Sequence, residues 1–396
     1  MPNSPPTVHN FGAGPSVLPR SVLQTAQAEF LNFADSGMSV LELSHRSEAF
    51  DRVMRDTERS ARQLLAIPDD YSVLFLQGGA STQFAAVWYN LMASKVVRDR
   101  SGTGQTLPPV DYLITGTWSK RAAQEASRLG APVNVVFDAS TDETTGQAFT
   151  GIPARNRWQF SGPSGRDAAY VYYCDNETVH GVEWDHVPEV HPDTVLVCDM
   201  SSNIMSRPVD VRRFGVILAG AQKNMGPAGV TMVIVRNDLL TRTEPASYPA
   251  FPTMLDYLVA QANRSLYNTP PTFTIYLCGL VYQWIKDQGG VVAMAQQNEA
   301  KLALLRQVLA HSSLYRSPID PRYQSRMNVV INLTKPELEG PFLQQAQARH
   351  MVQLKGHRSI GGIRVSLYNA LPLTSVQALV RFMTDFEHQV ANQGQL

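Results

Sequence analysis

Short apolar runs recur along the first two thirds of the chain, and most are followed by segments with apolar residues three and four apart. "YSVLFLQ" (71–77) predicts a strand, and "STQFAAVWYNLM" (81–92) predicts a helix. "VDYLITG" (110–116) and "WSKRAAQEASRLG" (118–130) repeat the pair, with glycine closing the helix. Five more runs predict strands: "VNVVFDA" (133–139), "AAYVYYC" (168–174), "TVLVCDM" (194–200), "GVILAG" (215–220) and "GVTMVIV" (229–235). Their continuous apolar character implies burial on both faces. The alternation with helices predicts a largely parallel α/β sheet. The polar stretch "RDRSGTGQTLPPVD" (98–111) reads as an exposed loop.

After about residue 270 the texture changes. "TFTIYLCGLVYQWIKDQGG" (272–290) and "AMAQQNEAKLALLRQVLA" (293–310) predict long helices. "SRMNVVINL" and "GIRVSLYNA" predict strands of a separate, smaller α+β unit. The boundary falls near Pro270-Pro271. At 396 residues the chain has room for two cores.

Composition narrows the partners. The chain is 44% hydrophobic and 17% charged with zero net charge, which gives no electrostatic basis for binding nucleic acid or an anionic membrane. No run approaches a membrane span, and the proline-rich N-terminus lacks a secretory apolar core. Cys174, Cys198 and Cys278 stand far apart, with neither metal spacing nor an even count for a disulfide framework. A soluble protein of a reducing cytoplasm, with no metal site, is expected. The dinucleotide fingerprint, G-K-[ST], H-E-x-x-H and G-x-S-x-G are all missing.

Ligands of an open α/β sheet sit at the carboxyl ends of its strands. "GGAST" follows the first strand and puts Ala80 and Ser81 at a helix start, where free N–H groups suit a phosphate. Asp199 ends "VLVCD" and needs a partner to stay charged. Lys223 follows "VILAGAQ", among Gly220, Gly226 and Gly229, where burial would make its amine nucleophilic. His45 with Arg46, and His357 with Arg358 and Arg364, could clamp anions. Singly, each has a plainer reading: a tight turn, a capping aspartate, a lysine reaching solvent, surface charge. Together they fit pyridoxal phosphate, which needs a lysine for its aldehyde, an acid for its ring nitrogen and a cradle for its phosphate. Two anion clamps imply a substrate with two anionic groups.

"FGAGPSVLP", "ELSHRSEAF", "LQGGASTQFAAV", "NETVHGVEW", "AGAQKNMGPAG", "YNTPPTF", "LKGHRSIGGIR" and "SLYNA" resemble, in order, the phosphoserine aminotransferases, which are class V, fold-type I enzymes. The match runs from about residue 9 to 385. The resemblance implies a large domain (21–270) built on a mostly parallel seven-stranded sheet. It also implies a smaller C-terminal α+β domain (271–396), against which residues 1–20 pack. Lys223 would carry the cofactor as a Schiff base, and Gln222, Ala80 and Ser81 would touch its phosphate. Asp199 would hold the ring nitrogen, Trp118 would stack on the ring, and Thr178 would bond near its phenolic oxygen. Asn268 and Thr269 would come from the partner of a homodimer. Arg364 would bind the substrate α-carboxylate. His45 and Arg46, with His357 and Arg358 from the partner chain, would bind the distal phosphate or the γ-carboxylate of glutamate. This chain has Ser81 where some members carry arginine.

The implied reaction moves an amino group from L-glutamate to 3-phosphohydroxypyruvate in serine biosynthesis, with a related phosphorylated hydroxythreonine step toward pyridoxine. The rivals are a serine–glyoxylate aminotransferase, a cysteine desulfurase, and a non-catalytic phosphate- or cofactor-binding protein. The last has no reason to combine Lys223, Asp199 and Arg364.

Overall fold

The computed structural model describes residues 7–101, 107–140, 148–242 and 251–394. Strands β1 (Tyr71–Leu76), β2 (Val110–Ile114), β3 (Val133–Asp138), β4 (Tyr170–Cys174), β5 (Val195–Asp199), β6 (Val216–Gly220) and β7 (Thr231–Arg236) form one sheet. The order is β1-β7-β6-β5-β4-β2-β3. Strand β7 is antiparallel to both neighbours. The other pairings are parallel, so β1 to β6 all run one way and their carboxyl ends share one edge. This is the mostly parallel α/β sheet expected of fold type I.

Strands β4, β5 and β6 are buried at every residue, as their unbroken apolar runs require. Strand β3 departs from that expectation. It ends the sheet, so one side lacks a neighbour, and Val135 is 43% exposed. The polar stretch 98–111 also differs. Helix Lys95–Ser101 takes its first residues and β2 takes Val110 onward, while 102–106 lie outside the described residues. Lysine and arginine are good helix formers, and polarity alone does not separate an exposed helix from a loop.

Four helices frame the sheet: α1 (Glu48–Leu65), α2 (Gly79–Ala93), α3 (Thr117–Arg128) and α4 (Thr272–Asp287). Helix α1 starts where the Ser47 hydroxyl accepts the Phe50 N–H at 3.2 Å. Its apolar stripe, Phe50, Val53, Met54, Ala61 and Leu64, joins the main core. Helix α4 stops at Gln288, and Gly289, at φ 96°, turns the chain into α5 (Gly290–His311).

A second core lies between α5, helix Glu339–Ala348, α6 (Leu373–Asn392) and an antiparallel sheet of Tyr315–Arg316, Asn328–Leu333 and Ile363–Ser366. Helix α5 joins both cores, giving Val291 and Met294 to the first and Leu302 and Leu305 to the second. The N-terminal segment pairs His9–Asn10 with Met351–Val352, and Phe11 enters the second core. Buried charge ties the cores together. Asp175 and Glu183, beside β4, meet Arg207 and Arg326 at 2.7 Å each. Removing one member of such a network typically costs about 3–5 kcal/mol, because a buried charge loses its partner.

Candidate active site

The carboxyl ends of β2, β4, β5 and β6 converge on Lys223. After β6 the chain turns on Ala221, whose carbonyl accepts the N–H groups of Lys223 at 2.7 Å and Gly226 at 2.8 Å. The Lys223 Nζ donates to Thr178 Oγ1 at 2.6 Å, just past the short strand Asn176–Glu177 that follows β4. Burial pulls this amine below the ordinary lysine range, and the nearby Asp199 carboxylate works against that shift. A half-buried amine with depressed basicity is the nucleophile the sequence suggested.

Asp199 is buried at the end of β5, and its Oδ1 accepts the Ser201 N–H at 2.8 Å. Burial raises its carboxyl above the usual range, while Ser201 and the Lys223 charge oppose the shift. Arg364, on strand Ile363–Ser366, donates Nη1 to the Thr178 carbonyl at 3.2 Å. Thr178 therefore receives the lysine on its hydroxyl and the arginine on its carbonyl. Asn328 secures that approach, because its amide meets Tyr368 Oη and Ser366 Oγ at 3.1 Å on one side and Asn176 at 2.9 Å on the other.

Trp118 lies in the first turn of α3 with its indole centroid 5.9 Å from the Lys223 Nζ. Its place is set by Glu177, a residue that sequence reasoning did not single out. The Glu177 carboxylate accepts the N–H of Trp118 at 2.9 Å and of Ser119 at 2.8 Å, capping a helix 58 residues away in sequence. Gly116 leaves room for it, since a Cβ there would stand 2.4 Å from the Glu177 carboxyl carbon. Its place in "CDNETVHGVEW", just past an apolar strand and beside Thr178, was the available signal, but two other acids share that segment and its partner was not readable.

Helix α2 begins at Gly79, after Gly78 at the N-cap; the two glycines stand at φ 71° and 98°, and no side chain caps the helix. A Cβ on Gly78 would lie 2.1 Å from Thr82 Oγ1. Ala80 and exposed Ser81 thus sit on a helix start with free N–H groups. The N-terminal segment covers Lys223 from the other side. Ser16 donates its hydroxyl to the Lys223 carbonyl at 2.5 Å and its N–H to that of Gln222 at 2.9 Å. A Cβ on Gly14 would be 3.3 Å from Lys223 Cγ. "FGAGPS" held no ionisable group, so this contact had no chemical signal.

The remaining residues lie farther out. His45 precedes α1 with a buried Nε2 that has no hydrogen-bond partner among the described residues, and Arg46 is exposed. Asn268 lines a cavity of about 220 Å³ with Gly78, Thr82 and Met254, and the Thr269 carbonyl accepts Gln77 Nε2 at 3.1 Å. The loop carrying His357 and Arg358 folds back on its own strand, with the Arg364 N–H on Leu354 O at 2.8 Å. His357 stands in the field of its own chain's Arg364 and Arg358. Burial, with the charge of His357, holds His180 down to about 4, and His180 is 3.0 Å from Thr117 Oγ1.

The residues fit pyridoxal phosphate. The amine bonds a hydroxyl instead of a carboxylate, the buried Trp118 Nε1 has no partner among the described residues, and the α2 start is uncapped. A lysine, a buried acid, an indole and an anion cradle are the donor set that this cofactor uses.

Residues 8–379 match the family model described as "Aminotransferase class-V". A phosphoserine aminotransferase of Pseudomonas aeruginosa (strain LESB58) is 49% identical over 380 residues, covering 96% of this chain and 98% of that protein. The solved phosphoserine aminotransferase of Bacillus circulans subsp. alkalophilus superposes with a TM-score of 0.86 at 38% identity, covering 97% of this chain and 99% of the other. The pyridoxal-phosphate-bound one from Trichomonas vaginalis gives 0.85 at 37%, covering 96% and 100%.

Proposed function

The chain belongs to the class-V aminotransferases, in the phosphoserine aminotransferase family, and from that premise we propose how its residues divide the reaction. It is a pyridoxal-phosphate enzyme that exchanges an amino group between L-glutamate and 3-phosphohydroxypyruvate, giving O-phospho-L-serine and 2-oxoglutarate. When bound, the cofactor supplies the electron sink that lets the substrate Cα–H bond ionise. Lys223 holds the cofactor and, once its amine is free, takes the Cα proton as general base and returns it as general acid. Its depressed basicity suits this work, since more of the amine is neutral at neutral pH. Asp199 holds the charge of a protonated ring nitrogen. Trp118 offers the ring its indole face, and Ala80, Ser81 and Gln222 receive the phosphate. Arg364 receives the α-carboxylate. His45, Arg46, His357 and Arg358 receive the distal anion.

One observation supports this assignment most: Lys223 and Arg364 meet on Thr178, at 2.6 Å and 3.2 Å. A carboxylate on Arg364 leaves the adjoining Cα beside the amine. Replacing Arg364 by glutamine should therefore raise KM for both amino acids by about 10- to 100-fold, the loss of a charge-assisted pair. Steady-state kinetics check it, and an unchanged KM for both would remove Arg364 from this role. Cysteine desulfuration fits poorly, because all three cysteines are buried and burial pushes their thiols up, Cys278 to about 12.

We further propose a homodimer. Phe30, Leu31, Met38 and Leu41 are 42%, 80%, 44% and 54% exposed, near His45 and Arg46 in the chain. Their face continues to Phe273, which meets Phe30 edge-on at 5.7 Å, just beyond Asn268 and Thr269. Such a patch supports a subunit contact, with Asn268 and Thr269 serving the partner's site. A small-domain boundary near residue 270 remains part of this proposal, although α4 and the start of α5, through Met294, pack in the main core and the second core takes over from Leu302. Free cysteines fit a reducing cytoplasm. No helix among the described residues is long and apolar enough to cross a membrane. A phosphorylated hydroxythreonine of the pyridoxine route carries the same two anions and suits the same clamps.

A further inference from the structure

Most arginines near the core of this protein are answered by an acid: Arg207 by Asp175, Arg326 by Glu183, Arg242 by Asp256. Arg121, Arg358 and Arg364 make no ion pair with any described carboxylate. All three bear on one group, since after burial their charges are what depress His357. Like charges gather in this way where an anion is to be received.

Arg121 has no role among those assigned above. It lies on α3, three residues after Trp118, so both project from one face of the helix. Its guanidinium carbon is 5.1 Å from the indole centroid, and Lys223 Nζ is 5.9 Å from the same centroid. Stacking on an aromatic face orients a guanidinium and leaves its N–H edge free. The side chain is otherwise exposed, open to a ligand entering from solvent. The glycine-rich loop supplies no charge here, because Ser81 is neutral.

We propose that Arg121 is a specificity-determining residue, contacting the distal anion of the substrate and favouring phosphate over carboxylate. This rests on the function proposed above. A phosphate monoester carries about −1.5 to −2 charges at neutral pH, and a carboxylate carries one. The same cation therefore attracts the phosphate up to about twice as strongly, and its fork can take two phosphate oxygens. Arg364 is committed to the α-carboxylate common to both substrates and cannot discriminate between them.

The test compares wild-type, Arg121→Gln and Arg121→Lys holoenzymes in separate half-reactions with O-phospho-L-serine and L-glutamate. For Arg121→Gln, kcat/KM for phosphoserine should fall about 10- to 30-fold, the range of one charge-assisted hydrogen bond. The glutamate value should fall less than about 3-fold, with the loss in KM. The lysine variant should recover part of the preference, and added salt should weaken phosphoserine binding less in the glutamine variant than in wild type. Equal losses with both amino acids would overturn the proposal and mark Arg121 as a support for Trp118. A wild-type protein that reacts with glutamate but not phosphoserine would instead overturn the substrate assignment on which it rests.

Discussion

Replacing Lys223 by alanine should lower turnover by about 10⁴-fold, the upper end of what one proton-transferring group supplies. Two functions disappear together, because the same amine anchors the cofactor and moves the Cα proton. No neighbour can substitute. Thr178, its hydrogen-bond partner, is a hydroxyl, and the nearby Cys174 thiol is pushed well above its ordinary range by burial. The loss should appear in initial rates of glutamate-dependent amination, while far-UV circular dichroism stays that of the wild type. The backbone supports this separation, since the turn is held by Ala221 O and by Ser16 on the Lys223 carbonyl, none of which involves the side chain beyond Cβ. Residual turnover within tenfold of wild type would exclude Lys223 as the base.

Asp199→Asn should lower turnover by about 10²- to 10³-fold, as the loss of one preorganised electrostatic partner does, and should not destabilise the cofactor-free protein. The second half follows from the sign of the titration. Burial raises the folded-state carboxyl above its unfolded value. Its favourable contribution is therefore present at low pH and is lost as pH rises through the folded value, so at neutral pH the buried charge is a net cost. Asparagine keeps the shape, can still accept the Ser201 N–H and carries no charge. Thermal unfolding of the apoprotein at neutral pH should show a melting temperature equal to or above wild type, alongside the lost activity. A large fall in both would indicate that Asp199 is structural.

Much of the frame was legible because burial on both faces leaves a plain mark. Strands β4, β5 and β6 could be placed from unbroken apolar runs, and Gly289 from its position between two periodic segments. The edge strand β3 wears the same apolar composition with one side open, which no local pattern reveals. Within the site, Lys223 and Asp199 were visible as charges ending apolar strands. Glu177 and Arg121 were not, because their meaning lies in partners set by tertiary approach: a helix start 58 residues distant for one, the face of Trp118 and the field at His357 for the other. The cover over Lys223 by Ser16 spans 207 residues and was illegible for the same reason.

The most direct measurement is a visible absorbance titration of the purified, cofactor-loaded protein, first with L-glutamate and then, on fresh protein, with O-phospho-L-serine. The expected result is that both amino acids convert the cofactor's band to that of its aminated form, and that each matching keto acid restores it. A band that responds to neither, or only to small neutral amino acids such as alanine or serine, would contradict the reading of this site as a lysine-centred exchange between two amino donors that each carry two anionic groups.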